Sequence, residues 1–224
     1  MQQGRKKRKT KNTYEKIRRL GLLLVALAFL GALIIFFPVL VKEASYLFSK
    51  PNENAPVASS ELDSMRFFNK EDVIIIAKDP FFSIIIPKIG ANSKVISDVD
   101  PYDSKVYQTA LTKGVAHAKG TAYPGETGNS FFFAHSSDNF YNANRYNSVF
   151  YLLNKMEKGD FFYLVYKDWV YKYVVTETSV VNHDEIRYLE NNTSKSKKTA
   201  TLMTCWPAGT TISRLVVVGE LVED

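Results

Sequence analysis

The chain has one cysteine, Cys205, in 224 residues. A single thiol cannot close an internal disulfide. Histidine is almost as scarce: His117, His135 and His183 are the only three. No internal repeat organises the chain. Charge is absent from Leu20 to Val41, LGLLLVALAFLGALIIFFPVLV, a run of 22 residues. As a helix this run spans roughly 33 Å at about 1.5 Å per residue, enough to cross a bilayer core.

Acid is scarce ahead of that run. Nine lysines and arginines precede Leu20, against Glu15 alone. Basic residues stay on the cytoplasmic side, so the expected topology is N-terminus inside and the remainder outside. A cleaved signal peptide has a shorter apolar region, about 7–15 residues, followed by small residues. This run is longer and ends in Val41-Lys42-Glu43, so a retained anchor is expected. The basic tail also suits contact with anionic lipid headgroups.

The formal charge of +6 is therefore a property of the tail. Without residues 1–41 the balance is 20 − 22 = −2. A nearly neutral soluble part gives no reason to expect nucleic acid as a partner. The expected segments are a basic cytoplasmic tail (1–19), a transmembrane helix (20–41), a juxtamembrane linker (42–72) and one folded domain (73–224). The linker carries KPNENAPVASSELDS, polar and broken by Pro51 and Pro56.

The domain reads as all-β, a sandwich or barrel of short strands. Apolar, β-branched and aromatic runs predict strands at 73–77, 81–86, 114–118, 130–134, 160–166, 169–176, 199–204 and 214–222. Lys167-Asp168 predicts a hairpin turn. Short helices are expected over 104–111 and 146–156, the second from Val149, Leu152, Leu153 and Met156 at helical spacing. Residues 178–198 are polar and predict a long insertion, where recognition is often carried. Asn191-Asn192-Thr193 matches a glycosylation acceptor, a pattern common by chance.

A lone thiol outside the cytoplasm is either a packed spectator or a reactive group. It becomes a nucleophile as the thiolate, which a neighbouring base or cation favours. His135 ends NSFFFAHSSD, where a buried strand meets a polar loop. Cys205 sits at a similar boundary, after TLMT and before WPAG. Arg214 opens the next strand, so a hairpin over 199–218 would bring Arg214 to Cys205. Its guanidinium could then bind a developing oxyanion or a substrate carbonyl. Spacing alone does not show that the three converge. A strand-end histidine is commonly structural, and a strand-start arginine is commonly solvated.

TLMTC, residues 201–205, resembles the TLxTC signature of sortases, the membrane-anchored cysteine transpeptidases of bacterial surfaces. Arg214 in ISRLVVVGEL matches the arginine that follows that cysteine. GVAHAKGTAYPGETGNSFFFAHSSD, 114–138, resembles the segment leading into the sortase histidine. IPKIGANSKV, 86–95, resembles the first barrel strand and its continuation. The likeness covers roughly residues 81–222.

The resemblance implies a closed β-barrel of about eight strands with short helices. It implies Cys205 as the nucleophile of an acyl-thioester and His135 as the group that protonates the leaving amine and deprotonates the incoming one. It implies Arg214 as the holder of substrate backbone and oxyanion, and Thr204 as a hydrogen-bonding aid to substrate. His117 is expected to be structural. The implied substrates are surface proteins with an LPxTG-like C-terminal sorting signal. The implied acceptor is a cell-envelope amine, a peptidoglycan precursor or a pilin lysine. The chemistry needs no cofactor, and no residue set here maps onto the calcium site of some housekeeping sortases. A thiol peptidase that releases peptides to water, or a tethered β-domain binding envelope components, are the alternatives. Asp79-Pro80-Phe81 matches a lid motif of pilin-polymerising sortases, but a turn before the first strand is the simpler expectation.

Overall fold

The computed structural model describes residues 2–48, 66–68, 74–136, 148–189 and 197–223. The chain divides into two compact units, Met1–Ser45 and Tyr46–Asp224. The first is made by helix α1 (Gln2–Phe48). Its stretch Glu15–Ile34 is long and apolar enough to cross a membrane. Leu24, Phe29 and Ile34 are exposed there, as lipid-facing side chains would be.

The second unit is a closed barrel. Its strands are β3 (Phe82–Ile86), β4 (Ala91–Val99), β5 (Val115–Ala118), β6 (Gly128–Phe133), β7 (Phe161–Tyr166), β8 (Trp169–Asn182), β9 (Lys198–Trp206) and β10 (Ser213–Leu221). Around the barrel the order is β10-β8-β7-β3-β4-β5-β6-β9. The pairs β4–β5 and β6–β9 are parallel, and the others antiparallel. The expected closed eight-stranded barrel is the observed fold. Closure leaves no strand edge unpaired.

Successive strand residues face opposite sides, so one set fills the barrel and the other faces out. Ile84, Ile86, Phe132, Leu164, Tyr173, Leu202 and Val217 fill the interior. Phe131, Phe133, Ala116 and Ala118 face outward and form a second core with Leu111 of helix α2 (Ser104–Leu111). Tyr188 and Leu189 pack on that outer core as well. Helix α2 lies where the sequence predicts it. Asp103 caps it, its Oδ1 accepting from the backbone N–H of Lys105 at 3.0 Å and of Val106 at 3.2 Å.

Lys167-Asp168 is the two-residue turn between β7 and β8, with φ of 49° and 67°. Two positive φ values match the hairpin turn whose twist suits the strands it joins. Asp79-Pro80-Phe81 forms the turn before β3. Asp79 Oδ1 accepts from the N–H of Phe81 at 2.8 Å and Oδ2 meets Lys94 Nζ at 2.8 Å. Its carboxyl is held below the usual range. Partial burial is the largest influence and opposes this, and the Lys94 and backbone donors outweigh it.

Several expectations are corrected. Thr178–Asn182 belongs to β8, because β10 pairs with it through Ser213↔Asn182. Pairing there overrides a polar composition. Over 146–156 the described residues hold only a short 3-10 turn, Leu153–Lys155. The buried residues are Phe150, Leu153 and Met156, a three-residue period that suits 3-10 geometry better than an α-helix. β4 was visible only through resemblance, since Ser93 and Asn92 interrupt its apolar pattern. The segment expected as linker, 42–72, carries β1 (Arg66–Phe68), which pairs with β2 (Ile74–Ile76) inside the strand expected at 73–77. Residues 49–65, Tyr146 and Asn191-Asn192-Thr193 lie outside the described residues.

Candidate active site

Strand β9 extends to Trp206, so Cys205 is within the strand rather than just past it. Arg214 is its direct partner on β10. Antiparallel partners share a face, with Cα atoms about 4.5–5.5 Å apart. Leu215 and Val217 point into the barrel, so Arg214 points out, together with Cys205.

On its other side β9 runs parallel to β6, with Phe131↔Thr201 and Phe133↔Met203. The pairing continues past the last ladder position. The N–H of Ala134 donates to the carbonyl of Met203 at 3.2 Å. Thr204 Oγ1 donates to the carbonyl of Ala134 at 2.8 Å. Carried two residues beyond Phe133 and Met203, the same register aligns His135 with Cys205. His135, Cys205 and Arg214 therefore form one row across three adjacent strand ends.

All three line a cavity of about 630 Å³ on the outer face of the barrel. That volume suits a short peptide or similar ligand. Phe131, Phe133 and Met203 form its apolar floor, α2 one wall, and His183–Ile186 with Leu189 another. Phe131 and Phe133 thus line the groove, whereas Phe132 and Trp206 pack on the barrel core. Arg214 Nη1 donates to the carbonyls of Thr211 at 3.2 Å and Ser213 at 3.1 Å, fixing the base of its fork. Its guanidinium carries five donors, so two carbonyls do not exhaust it.

Thr204 is buried and its proton is committed to Ala134. It lines the cavity but also ties the cysteine strand to the histidine strand. Ser136, absent from the sequence-level candidates, is buried at the same cavity, and its hydroxyl has no hydrogen-bond partner among the described residues. His183 lies on the wall, within the 178–198 segment expected to carry recognition.

His117 is elsewhere, on the interior side of β5. It is fully buried, stacked on Tyr123 with centroids 4.7 Å apart. Its Nε2 lies 3.0 Å from the carbonyl of Ala122, which can only accept, so Nε2 carries the proton. Burial pushes its pKa down, partly offset by Ala122 and by the charges of Asp98 and Glu126. The expected structural role fits this setting. Among the described residues no group of three or more His, Cys, Asp or Glu is placed to hold a metal.

The arrangement defines a thiol–imidazole–guanidinium class of site on an eight-stranded barrel. Residues 84–222 match the Sortase domain family. The chain belongs to the sortase family. It is 27% identical over 140 residues to sortase D of Bacillus subtilis strain 168, covering 61% of each chain. The chain therefore spans about three fifths of the length of that curated relative. Among solved structures it resembles sortase C-1 of Actinomyces oris, with a TM-score of 0.54 and 29% identity over 67% of this chain and 78% of that one. It also resembles Clostridium perfringens sortase C with the C-terminal cell wall sorting motif, with a TM-score of 0.53 and 29% identity over 72% and 80%.

Proposed function

We propose that this chain is a membrane-anchored cysteine transpeptidase that cleaves an LPxTG-like sorting signal and passes the acyl group to a cell-envelope amine. The row of His135, Cys205 and Arg214 along one groove is the observation that carries this reading. Cys205 Sγ, a thiolate whose proton rests on His135, attacks the carbonyl of the sorting motif's threonine. The peptide bond to glycine breaks, and His135 gives a proton to the departing amine. The thioester then meets an incoming amine, His135 takes its proton, and the sulfur leaves. Arg214 donates to the oxyanion in each tetrahedral stage, where a fixed donor is worth about 10²–10³ in rate.

Thr204 serves twice, as a wall of the groove and as the tie between two catalytic strands. The basic tail and apolar helix support a single pass with the N-terminus in the cytoplasm and the barrel outside. Surface proteins or pilins with a sorting signal are the substrates, and a peptidoglycan precursor or a pilin lysine is the acceptor.

The test is mass analysis of products from a sorting peptide incubated with the full-length chain, with and without an added amine. Transfer predicts an amide between the threonyl fragment and the amine. A product ending in free threonine in both mixtures would make the protein a hydrolase instead.

A further inference from the structure

Asn129 lies on β6 six residues before His135, on the same face and about 20 Å along the strand. It is 3% exposed. Its Oδ1 accepts from Thr201 Oγ1 at 2.8 Å and from Thr199 Oγ1 at 3.1 Å. Its Nδ2 donates to the carbonyl of Tyr188 at 2.7 Å. The two threonine hydroxyls and the carbonyl together admit one amide orientation.

Tyr188 is held a second time. Its hydroxyl donates to Glu177 Oε1 at 2.7 Å, and Ser179 Oγ donates to the same oxygen at 2.9 Å. Arg187 Nη2 donates to the tyrosine oxygen at 2.9 Å. Glu177 and Ser179 belong to β8, whose end leads directly into the groove wall. The wall thus leaves β8 at Val181, the partner of Arg214, and is pinned again at Tyr188, next to the cavity-lining Leu189.

We propose that Asn129 and Tyr188 form a latch that fixes this wall and so sets the size of group that reaches Cys205. Neither residue touches the reacting atoms; both are positioning residues. For the peptide substrate the proposal rests on the function proposed above, but access to the thiol can be read without it.

Cys205 is the sole cysteine, so thiol labelling of the full-length chain in detergent reports one site. The measurement is the ratio of labelling rates with a small methanethiosulfonate and with a bulky maleimide. In Tyr188→Phe and Asn129→Ala the ratio falls by about fivefold or more, the scale of one lost hydrogen bond. Glu177→Gln, which keeps an acceptor for the tyrosine hydroxyl, retains the parent ratio. With a sorting peptide, KM rises about fivefold in the first two variants while kcat stays within about twofold.

If Asn129→Ala fails to fold by its thermal melt, Tyr188→Phe decides, because it leaves the buried amide intact. An unchanged ratio in a folded Tyr188→Phe overturns the latch, even where peptide turnover is normal and the proposed function stands. A lowered ratio in a chain that turns over no sorting peptide supports the latch and removes the proposed function.

Discussion

Thr204 Oγ1 donates to the carbonyl of Ala134 at 2.8 Å, one residue before Cys205 on one strand and one residue before His135 on the other. This bond is the last tie between β9 and β6 before the two candidate groups. Thr204→Val removes the donor and leaves a buried carbonyl unpaired, at a cost of about 1–3 kcal/mol. Peptide cleavage falls about 10- to 100-fold, as expected for a small misplacement of reacting groups. Thr204→Ser keeps the bond and restores most activity. Steady-state kinetics and a urea melt on the three proteins check this.

Arg214 and lysine are not interchangeable at a site that needs a fixed fork. Arg214→Lys keeps the charge but loses the planar donors and the hold on Thr211 and Ser213. The expected loss is about 10²–10³ in kcat with fold stability nearly unchanged. A variant with full kcat would remove Arg214 from the chemistry.

His117 gives a pH signature unrelated to catalysis. Its folded pKa lies below the ordinary value of 6.5 because the ring is buried. The unfolded state therefore binds the proton first as pH falls. Stability is complete above about pH 6.5 and declines below it, by up to about 1.4 kcal/mol per pH unit, until the lower folded pKa is reached. His117→Gln, which can still donate to Ala122, flattens this part of the stability curve. Denaturant melts from pH 7.5 to pH 5 read the difference.

Gly114 precedes β5, and a Cβ there would run into the backbone carbonyl of Lys94 on β4. Backbone within a parallel pair has little room to yield. Gly114→Ala should destabilise the barrel by about 1–3 kcal/mol, measured by thermal or chemical unfolding.

The barrel was legible because its strands are built from β-branched and aromatic runs separated by turns. Lys167-Asp168 was legible for the same local reason. What stayed hidden depends on pairing. Thr178–Asn182 reads as polar loop until β10 supplies its partners, and β4 carries buried Ser93 where an apolar residue is expected. The three candidate residues were legible as types, and the hairpin argument brought Arg214 to Cys205. The alignment of His135 with Cys205 follows from the parallel β6–β9 register, which local sequence does not encode. The bond between Asn129 and Tyr188 gave no sequence signal, since it joins residues 59 apart, although Tyr188 lies in the segment expected to carry recognition.

The most direct measurement is the intact mass of the full-length protein, quenched in acid during turnover of a sorting peptide. The account predicts an added mass equal to the threonyl fragment, carried on Cys205, absent from Cys205→Ala, and discharged by an added amine. Undiminished peptide cleavage by Cys205→Ala would contradict it.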